Sequence, residues 1–265
     1  MAQRHERHEG EPPYPPDRRR FHMRALCPAD PGENAKLPQI IGETVRIVCL
    51  HTANSNIAIF DAAARAAGHE SLELVHVVRA DLLAAAERAG GLTGEIAAQT
   101  REVLLTLTNN ADAVLLNCST LGPSVDDGLV AQAAPVPVLR ADAALAQCAA
   151  ESGGKVVVLC TVSTTLDPTT HLFAQAATLT TASVEVQLIS GAWECFKAGD
   201  TAGYLSTIAA ATDTAYENGA DVVAFAQTSM AGAALLVAHG NKPLTTPAIA
   251  LAAAVHAATL AARIK

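Results

Sequence analysis

Aromatic residues are scarce: one Trp, three Tyr and five Phe in 265 residues. A core must then be filled by Ala, Val and Leu, which suits helices packed closely on a sheet. No CxxC pair or regular spacing joins the six cysteines, Cys27, Cys49, Cys118, Cys148, Cys160 and Cys195. This argues against a disulfide framework and makes a reducing cytoplasm the expected setting. HExxH and clustered Cys/His ligands are missing, so no metal is expected. No GxGxxG follows a strand-like run, no P-loop is present, and neither Ser119 nor Ser229 sits in a GxSxG elbow. Dinucleotide, ATP and serine-hydrolase chemistry are therefore disfavoured. Positive charge is in deficit, with 18 Lys and Arg against 26 Asp and Glu and a net charge of −8. Neither nucleic acid nor an anionic membrane is an expected partner. No secretory apolar segment follows Arg18-Arg19-Arg20, and the apolar stretch 247–264 carries His256 and Arg263, as a packed helix does and a membrane span does not.

What is present is a long alternation of strand-like and helix-like runs. Residues 1–43 stand apart: they mix both charges with Pro12-Pro13-Tyr14-Pro15-Pro16 and predict a disordered arm, with Met23 an alternative start. From Val45 onward, short Val/Ile/Leu runs predict buried parallel strands at 45–50, 73–78, 113–117, 136–139, 155–160, 183–189 and 221–226. Ala- and Leu-rich stretches between them predict helices at 56–67, 80–89, 94–108, 124–133, 141–151, 168–179, 199–218, 229–239 and 247–263. Asp167-Pro168 has the chemistry of a helix start, with Asp as cap and Pro in the first turn. The fold class is α/β, with parallel sheets covered on both faces.

The alternation contains a repeat. Ala111-Asp112-Ala113-Val114-Leu115-Leu116-Asn117-Cys118-Ser119-Thr120 matches Ala220-Asp221-Val222-Val223-Ala224-Phe225-Ala226-Gln227-Thr228-Ser229, so that Cys118 falls on Gln227. Ile47-Val48-Cys49-Leu50-His51-Thr52 matches Val156-Val157-Val158-Leu159-Cys160-Thr161 at the same offset, with Thr52 falling on Thr161. Two strand-and-loop units in one register imply two lobes facing each other. Ligands of open α/β sheets bind beyond the carboxyl ends of the strands, which here means loops 51–56, 117–123, 161–167 and 227–230. These loops are rich in Asn, Ser, Thr, Cys and Gln. With a thiol at one mirrored position and an amide at the other, the site is mirrored in shape and one-sided in chemistry.

Cys118 follows a strand and precedes a helix start near Pro123, a place that favours thiolate. Its neighbours Asn117, Ser119 and Thr120 are polar. Thr161, Ser163 and Thr164 form a hydroxyl cluster mirrored by Thr52, Asn54 and Ser55, and such hydroxyls with backbone N–H groups hold carboxylates without Arg. The same residues also serve ordinary turns and caps. Gln227 offers hydrogen bonds but no base, and Thr228 and Ser229 offer hydroxyls beside it. His51 and His76, at and near strand ends, are candidate proton shuttles as well as candidate structural histidines.

Taken in order, Asn117-Cys118-Ser119-Thr120, Val136-Pro137-Val138-Leu139-Arg140, Leu159-Cys160-Thr161-Val162-Ser163-Thr164 and Ala226-Gln227-Thr228-Ser229-Met230-Ala231 resemble the aspartate/glutamate racemase superfamily over residues 44–265. The resemblance implies two Rossmann-like lobes related by a pseudo-twofold, lobe one being 44–139 plus 247–265 and lobe two 140–246. It implies a site in the cleft between them, no pyridoxal phosphate or metal, a small carboxylate substrate and a homodimer. It makes Cys118 the first catalytic cysteine, and Asn54, Ser55, Thr161, Thr164, Thr228 and Ser229 substrate contacts. The second cysteine is replaced by Gln227. The expected activity is a racemase or isomerase acting beside a carboxylate, with Cys118 as base or nucleophile. The alternatives are a one-cysteine decarboxylase of the same superfamily and a non-catalytic small-acid binding protein.

Overall fold

The computed structural model describes residues 44–68 and 71–264, so the expected arm lies outside the described residues. The first half runs β1 (Val45–His51), α1 (Ser55–Ala66), β2 (Leu72–Val78), α2 (Ala80–Ala89), α3 (Gly94–Leu107), β3 (Ala113–Asn117), α4 (Leu129–Ala133) and β4 (Val138–Arg140). The second runs α5 (Ala141–Ser152), β5 (Lys155–Cys160), α6 (Leu166–Ala177), β6 (Ser183–Leu188), α7 (Ala192–Lys197), α8 (Thr201–Glu217), β7 (Val222–Phe225), β8 (Leu244–Thr245) and α9 (Thr246–Ile264). The two four-stranded sheets have the orders β2-β1-β3-β4 and β6-β5-β7-β8. Every pairing in them is parallel.

The repeat is a repeat of structure. Ile47 pairs with Ala113 in the first sheet and Val156 with Val222 in the second, both members moved by the offset that carries Cys118 to Gln227. Asp112 Oδ2 accepts the Arg46 N–H at 2.8 Å, and Asp221 Oδ2 accepts the Lys155 N–H at 2.7 Å, again one pair carried onto another by that offset. These carboxylates lock the entry of β1 and β5 to the turn before β3 and β7. They fix the register that brings both third-strand loops to the same level.

Each central strand is apolar on both faces because helices cover both. Along β1, Ile47 and Cys49 face one cluster, and Val48 and Leu50 face the other. Along β5, Val156, Val158 and Cys160 alternate in the same way with Val157 and Leu159. α9 serves both lobes: Ile249, Ala252 and Ala253 join the core around β5 and β7, while Ala250, Leu251, Ala254, Val255 and Ala258 join the core around β1 and β3. A helix apolar all round is stable only when surrounded. Among the described residues α9 is long and apolar enough to cross a membrane, and most of it is buried in the protein. α5 leaves β4 of the first sheet and packs on α6 and α9, so the connections cross between the halves.

Four local expectations change. The run 229–239 is not an α-helix but a 3-10 helix over Thr228–Leu235, followed by backbone held to Asp213, whose Oδ1 accepts N–H groups of Ala238 and His239. The run 124–133 splits into a 3-10 turn at Gly122–Val125 and the short α4, with Gly128 in the left-handed region between them. α6 starts at Leu166 rather than at a cap on Asp167, because the 3-10 turn at Ser163–Thr165 runs directly into it. α7 and the two-residue β8 are shorter than any periodicity can reveal. Removing either mirrored carboxylate, by Asp112→Ala or Asp221→Ala, is expected to lower the unfolding free energy by about 1 kcal/mol, and the two losses should match. Urea denaturation of both variants checks this; a loss at one position only would show that the two locks are not equivalent.

Candidate active site

A cavity of about 70 Å³ opens between the carboxyl ends of the two sheets, with Cys118 and Gln227 both in its wall. By the usual space of about 15 Å³ per enclosed water, this suits a ligand of a few heavy atoms. The two mirrored positions are anchored by mirrored partners. Around Cys118, the Thr52 hydroxyl and the N–H groups of Leu121 and Thr120 favour the thiolate. Gln227 Oε1 accepts the Thr161 N–H at 2.8 Å and the Thr161 hydroxyl at 3.1 Å, and Thr161 is the counterpart of Thr52 in the repeat. Gln227 Nε2 donates to Thr165 Oγ1 at 2.8 Å, so both ends of this amide are committed.

The expectation of a depressed Cys118 pKa is reversed. Burial dominates and raises it, the Thr52 hydroxyl and the two N–H groups offset part of that rise, and the Asp142 charge adds to it. The helix start expected to favour thiolate is a four-residue 3-10 turn. Thiolate must therefore form against desolvation, in a thiol that keeps partial exposure.

The cavity is also lined by Asn117, Ser119, Thr120, Thr228 and Ser229, as expected. Four of these tie the lobes together through three contacts. Thr228 donates to Asn117 Oδ1 at 2.7 Å, Ser119 donates to the Ala226 carbonyl at 3.3 Å, and Thr120 and Thr164 hydroxyls meet at 3.3 Å. Other expected contacts lie elsewhere. Asn54 and Ser55 are not in the wall but at the start of α1, and the lining residues of that loop are Thr52, Ala53 and Asn56. Thr161 is buried behind Gln227, and its hydroxyl also meets the Tyr204 phenol at 3.3 Å. Thr164 faces a larger groove of about 650 Å³ on the far side of Thr120, a groove that contains no thiol. Thr165 takes its place in the wall.

Sequence reasoning missed several wall residues. Asn56 is buried and its Oδ1 has no hydrogen-bond partner, so it is a ready contact for a ligand. Leu83, Trp193 and Phe196 form an apolar wall in which the Trp193 and Phe196 rings stack at 4.8 Å. Trp193 stands one position beyond the mirror of Leu83, a signal that extending the repeat through the second strands would have found. Asp142 also reaches the wall, but Arg140 holds it through Nε and Nη2 at 3.0 and 2.9 Å. Asp126 takes the remaining arm of Arg140. Burial opposes the Arg140 charge, yet Asp142 and then Asp126 raise its pKa above the ordinary value. Gly122 lies against the guanidinium, and a Cβ there would stand 2.5 Å from Nη2. No Lys or Arg lines the cavity among the described residues.

His51 and His76 belong to one directed chain. The Asp61 carboxylate can only accept, so His76 Nε2 donates to it at 3.2 Å. His76 Nδ1 then accepts from His51 Nε2 at 2.9 Å, and His51 Nδ1 accepts from Asn117 Nδ2 at 2.9 Å. Asn117 thereby turns its oxygen to Thr228. An amide separates the histidines from the cavity, so they orient Asn117 instead of shuttling protons. Burial and then His76 push the His51 pKa down to about 4, against a smaller upward pull from Asp61, which keeps its acceptor nitrogen free of a proton. Cys49, His51 and His76 have ligand atoms within 4.8 Å of one another and are the residues nearest to a metal-binding set. All four ring nitrogens are already hydrogen-bonded, and burial, with Asp61 adding, pushes the Cys49 thiol up to about 12. A metal would have to break this chain.

The fold and cleft define a bilobal α/β protein with a single thiol facing a mirrored amide. A family model described as Asp/Glu/Hydantoin racemase matches residues 45–258, and the chain belongs to that family. No curated protein sequence matches it. Among solved structures it is similar to the aspartate racemase of Picrophilus torridus, with a TM-score of 0.62, 14% identity, and coverage of 82% of this chain and 95% of that one. It is also similar to the allantoin racemase of Pseudomonas fluorescens (TM-score 0.55, 18% identity, 83% and 92% coverage). The glutamate racemase of Bacillus anthracis gives a TM-score of 0.57 at 13% identity, with 84% of each chain covered. At these identities the likeness is one of fold.

The His51 chain has a consequence for stability. Between pH 6.5 and about 4 the unfolded chain binds a proton at this position that the folded chain does not. Stability is therefore held above pH 6.5 and lost as pH falls through about 4, by about 3 kcal/mol in all from this group. Urea denaturation across that range should show the decline, and His51→Gln should flatten it. An equal decline in the variant would place the acid sensitivity elsewhere.

Proposed function

We propose that this protein is a cofactor-independent isomerase of the racemase type, acting at the carbon next to a carboxylate with Cys118 as its base. The observation that carries this reading is that Cys118 and its mirror position Gln227 share one small cavity. Family membership supports the same class of chemistry. Cys118 thiolate takes the α-proton, and the electron pair of the broken C–H bond passes into the carboxyl group as an enolate. The Asn56 NH₂ group and the Thr120 hydroxyl are the donors beside the place where that charge develops, while Asn56 Oδ1, an acceptor without a partner, suits an α-ammonium group. Well-placed donors of this kind contribute roughly 3–4 kcal/mol each to such a step.

The substrate class follows from the walls. Among the described residues, the arginine near the cavity is bound by two carboxylates, which leaves no cation there for a second acidic group. Leu83, Trp193 and Phe196 offer apolar surface instead. The expected substrates are small acids with an apolar α-substituent, ahead of aspartate or glutamate.

A second reading rests on Gln227. Its amide is fully engaged and carries no acidic proton, so a site with Cys118 alone also suits a decarboxylase, in which carbon dioxide leaves and one thiol protonates the carbanion. A panel of enantiopure amino acids, 2-hydroxy acids and substituted malonates in D₂O, followed by NMR, separates the readings. α-Deuteration without loss of carbon dioxide is the expected result, and decarboxylation of the malonates alone would favour the lyase. Cys118→Ala should lower the rate by about 10²–10⁴-fold. Binding without any turnover would sink both catalytic readings. Because burial raises the thiol pKa, the rate should climb with pH through the range in which an ordinary thiol ionises; a profile already flat at neutral pH would contradict Cys118 as the base.

A further inference from the structure

We propose that Ser229, backed by Tyr204, delivers the proton on the face of the substrate opposite Cys118; this rests on the reading of Cys118 as base. Inversion needs an acid on the second lobe, where the family pattern would have put a thiol and this chain has Gln227. Six polar side chains of residues 140–246 besides the Trp193 indole line the cavity: Asp142, Thr165, Gln227, Thr228, Ser229 and Thr246. Asp142 accepts from Arg140 on both oxygens, and Thr246 gives its proton to the Phe225 carbonyl at 3.3 Å. Gln227 has no proton to lose at neutral pH and is tied at both ends. Thr165 gives its proton to the Val162 carbonyl at 2.6 Å, and Thr228 gives its own to Asn117 Oδ1 at 2.7 Å. Thr228 has no titratable group directly behind it, and Thr165 meets only the Cys160 thiol, which burial pushes up to about 11. Ser229 has a phenol there: its Oγ lies 2.8 Å from Tyr204 Oη.

The phenol is placed for this role by packing. Tyr204 is 1% exposed on α8, its ring 5.2 Å from that of Phe196 in the cavity wall. Gly232 brings the turn after Ser229 close to α8, since a Cβ there would lie 3.1 Å from Leu205 Cδ1. The phenol oxygen also meets Thr161 Oγ1 at 3.3 Å. Thr161 in turn has two acceptors within reach, the phenol and Gln227 Oε1. The hydroxyl row can therefore run in either sense. With Thr161 donating to Tyr204 and Tyr204 to Ser229, the Ser229 proton is free to face the cavity. With Ser229 donating inward, its lone pair faces the cavity.

The step balances. Cys118 thiolate removes the α-proton from one face, and the carbanion takes the Ser229 Oγ proton on the other. The new C–H bond forms as the O–H bond of Ser229 breaks, and Ser229 recovers a proton from Tyr204. The charge rests on the phenol, the more acidic of the two hydroxyls; burial raises the Tyr204 pKa, and the Ser229 and Thr161 hydroxyls offset part of that rise. Reverse turnover, or exchange with solvent through the cleft, returns the proton from Cys118 to Tyr204. Ser229 is the catalytic residue in this scheme, and Tyr204 and Thr161 are positioning residues behind it. Gln227 keeps a structural part in it by fixing the Thr161 loop.

The test uses the full chain with single enantiomers of alanine, 2-aminobutyrate and valine in D₂O, scoring α-deuteration by NMR and inversion by chiral chromatography. Wild-type protein should do both. Tyr204→Phe, which keeps the ring, and Ser229→Ala should each lower inversion by about 100-fold, while Cys118-dependent deuteration with retention falls far less. Ser229→Thr should rescue inversion. If both variants invert at the wild-type rate, or lose deuteration and inversion in equal measure with their thermal stability unchanged, the proposal is overturned. Wild-type deuteration with retention only would overturn it as well, but would leave Cys118 standing as base. No deuteration of any substrate would remove the base itself and the proposal with it.

Discussion

Thr228 gives its hydroxyl proton to the Asn117 side chain across the cleft, and the arrangement of the site depends on this contact between lobes. Asn117 ends β3 and precedes Cys118, while Thr228 follows Gln227, so the bond clamps the two mirrored loops at their working positions. Its direction is set far from the cleft. An acceptor-only carboxylate at Asp61 orders His76, then His51, then the amide, and each donor in the row leaves the next atom one role to fill. A polar row of this kind is stabilising only when every member is satisfied, as here. The wall of a reactive cleft is thus held by groups that do not touch its contents.

Much of the architecture is visible in the amino-acid sequence, for a physical reason. Strands buried on both faces read as unbroken Val, Ile and Leu runs, and Ile47–Leu50 and Val156–Leu159 declare themselves in that way. The repeat goes further than composition, because Ile47 with Ala113 and Val156 with Val222 carry the same register twice. Cys118 and Gln227 can be paired from sequence since both follow strands whose register is so constrained. Elements without a period are not visible: β8 has two residues, and the Thr228–Leu235 turn has helical composition but 3-10 geometry.

Loop side chains are harder to place. Asn54, Ser55 and Asn56 differ little as letters, yet only the last is buried in the cavity wall, because the first turn of α1 rotates each by about 100° from the one before. Thr161 and Thr164 are correctly drawn to the region, but one supports Gln227 and the other turns to a neighbouring groove. The protonation tendency of Cys118 escapes a sequence reading for a related reason. A dipole argument needs a helix of some length, whereas desolvation needs only enclosure, and the described structure supplies the second.

The crossing of α5 and α9 between the halves bears on how such a protein can move and evolve. α9 contributes side chains to both cores, and α5 emerges from one sheet to rest on helices associated with the other. Neither half can therefore be cut out as an autonomous piece with its apolar surfaces covered. Wide gaping of the lobes would strip α9 from one of its two beds, so admission of a guest must rely on small rotations and side-chain swings. The two repeated halves thus share a permanent seam, and any opening of the cleft between them is tied to the packing of α9.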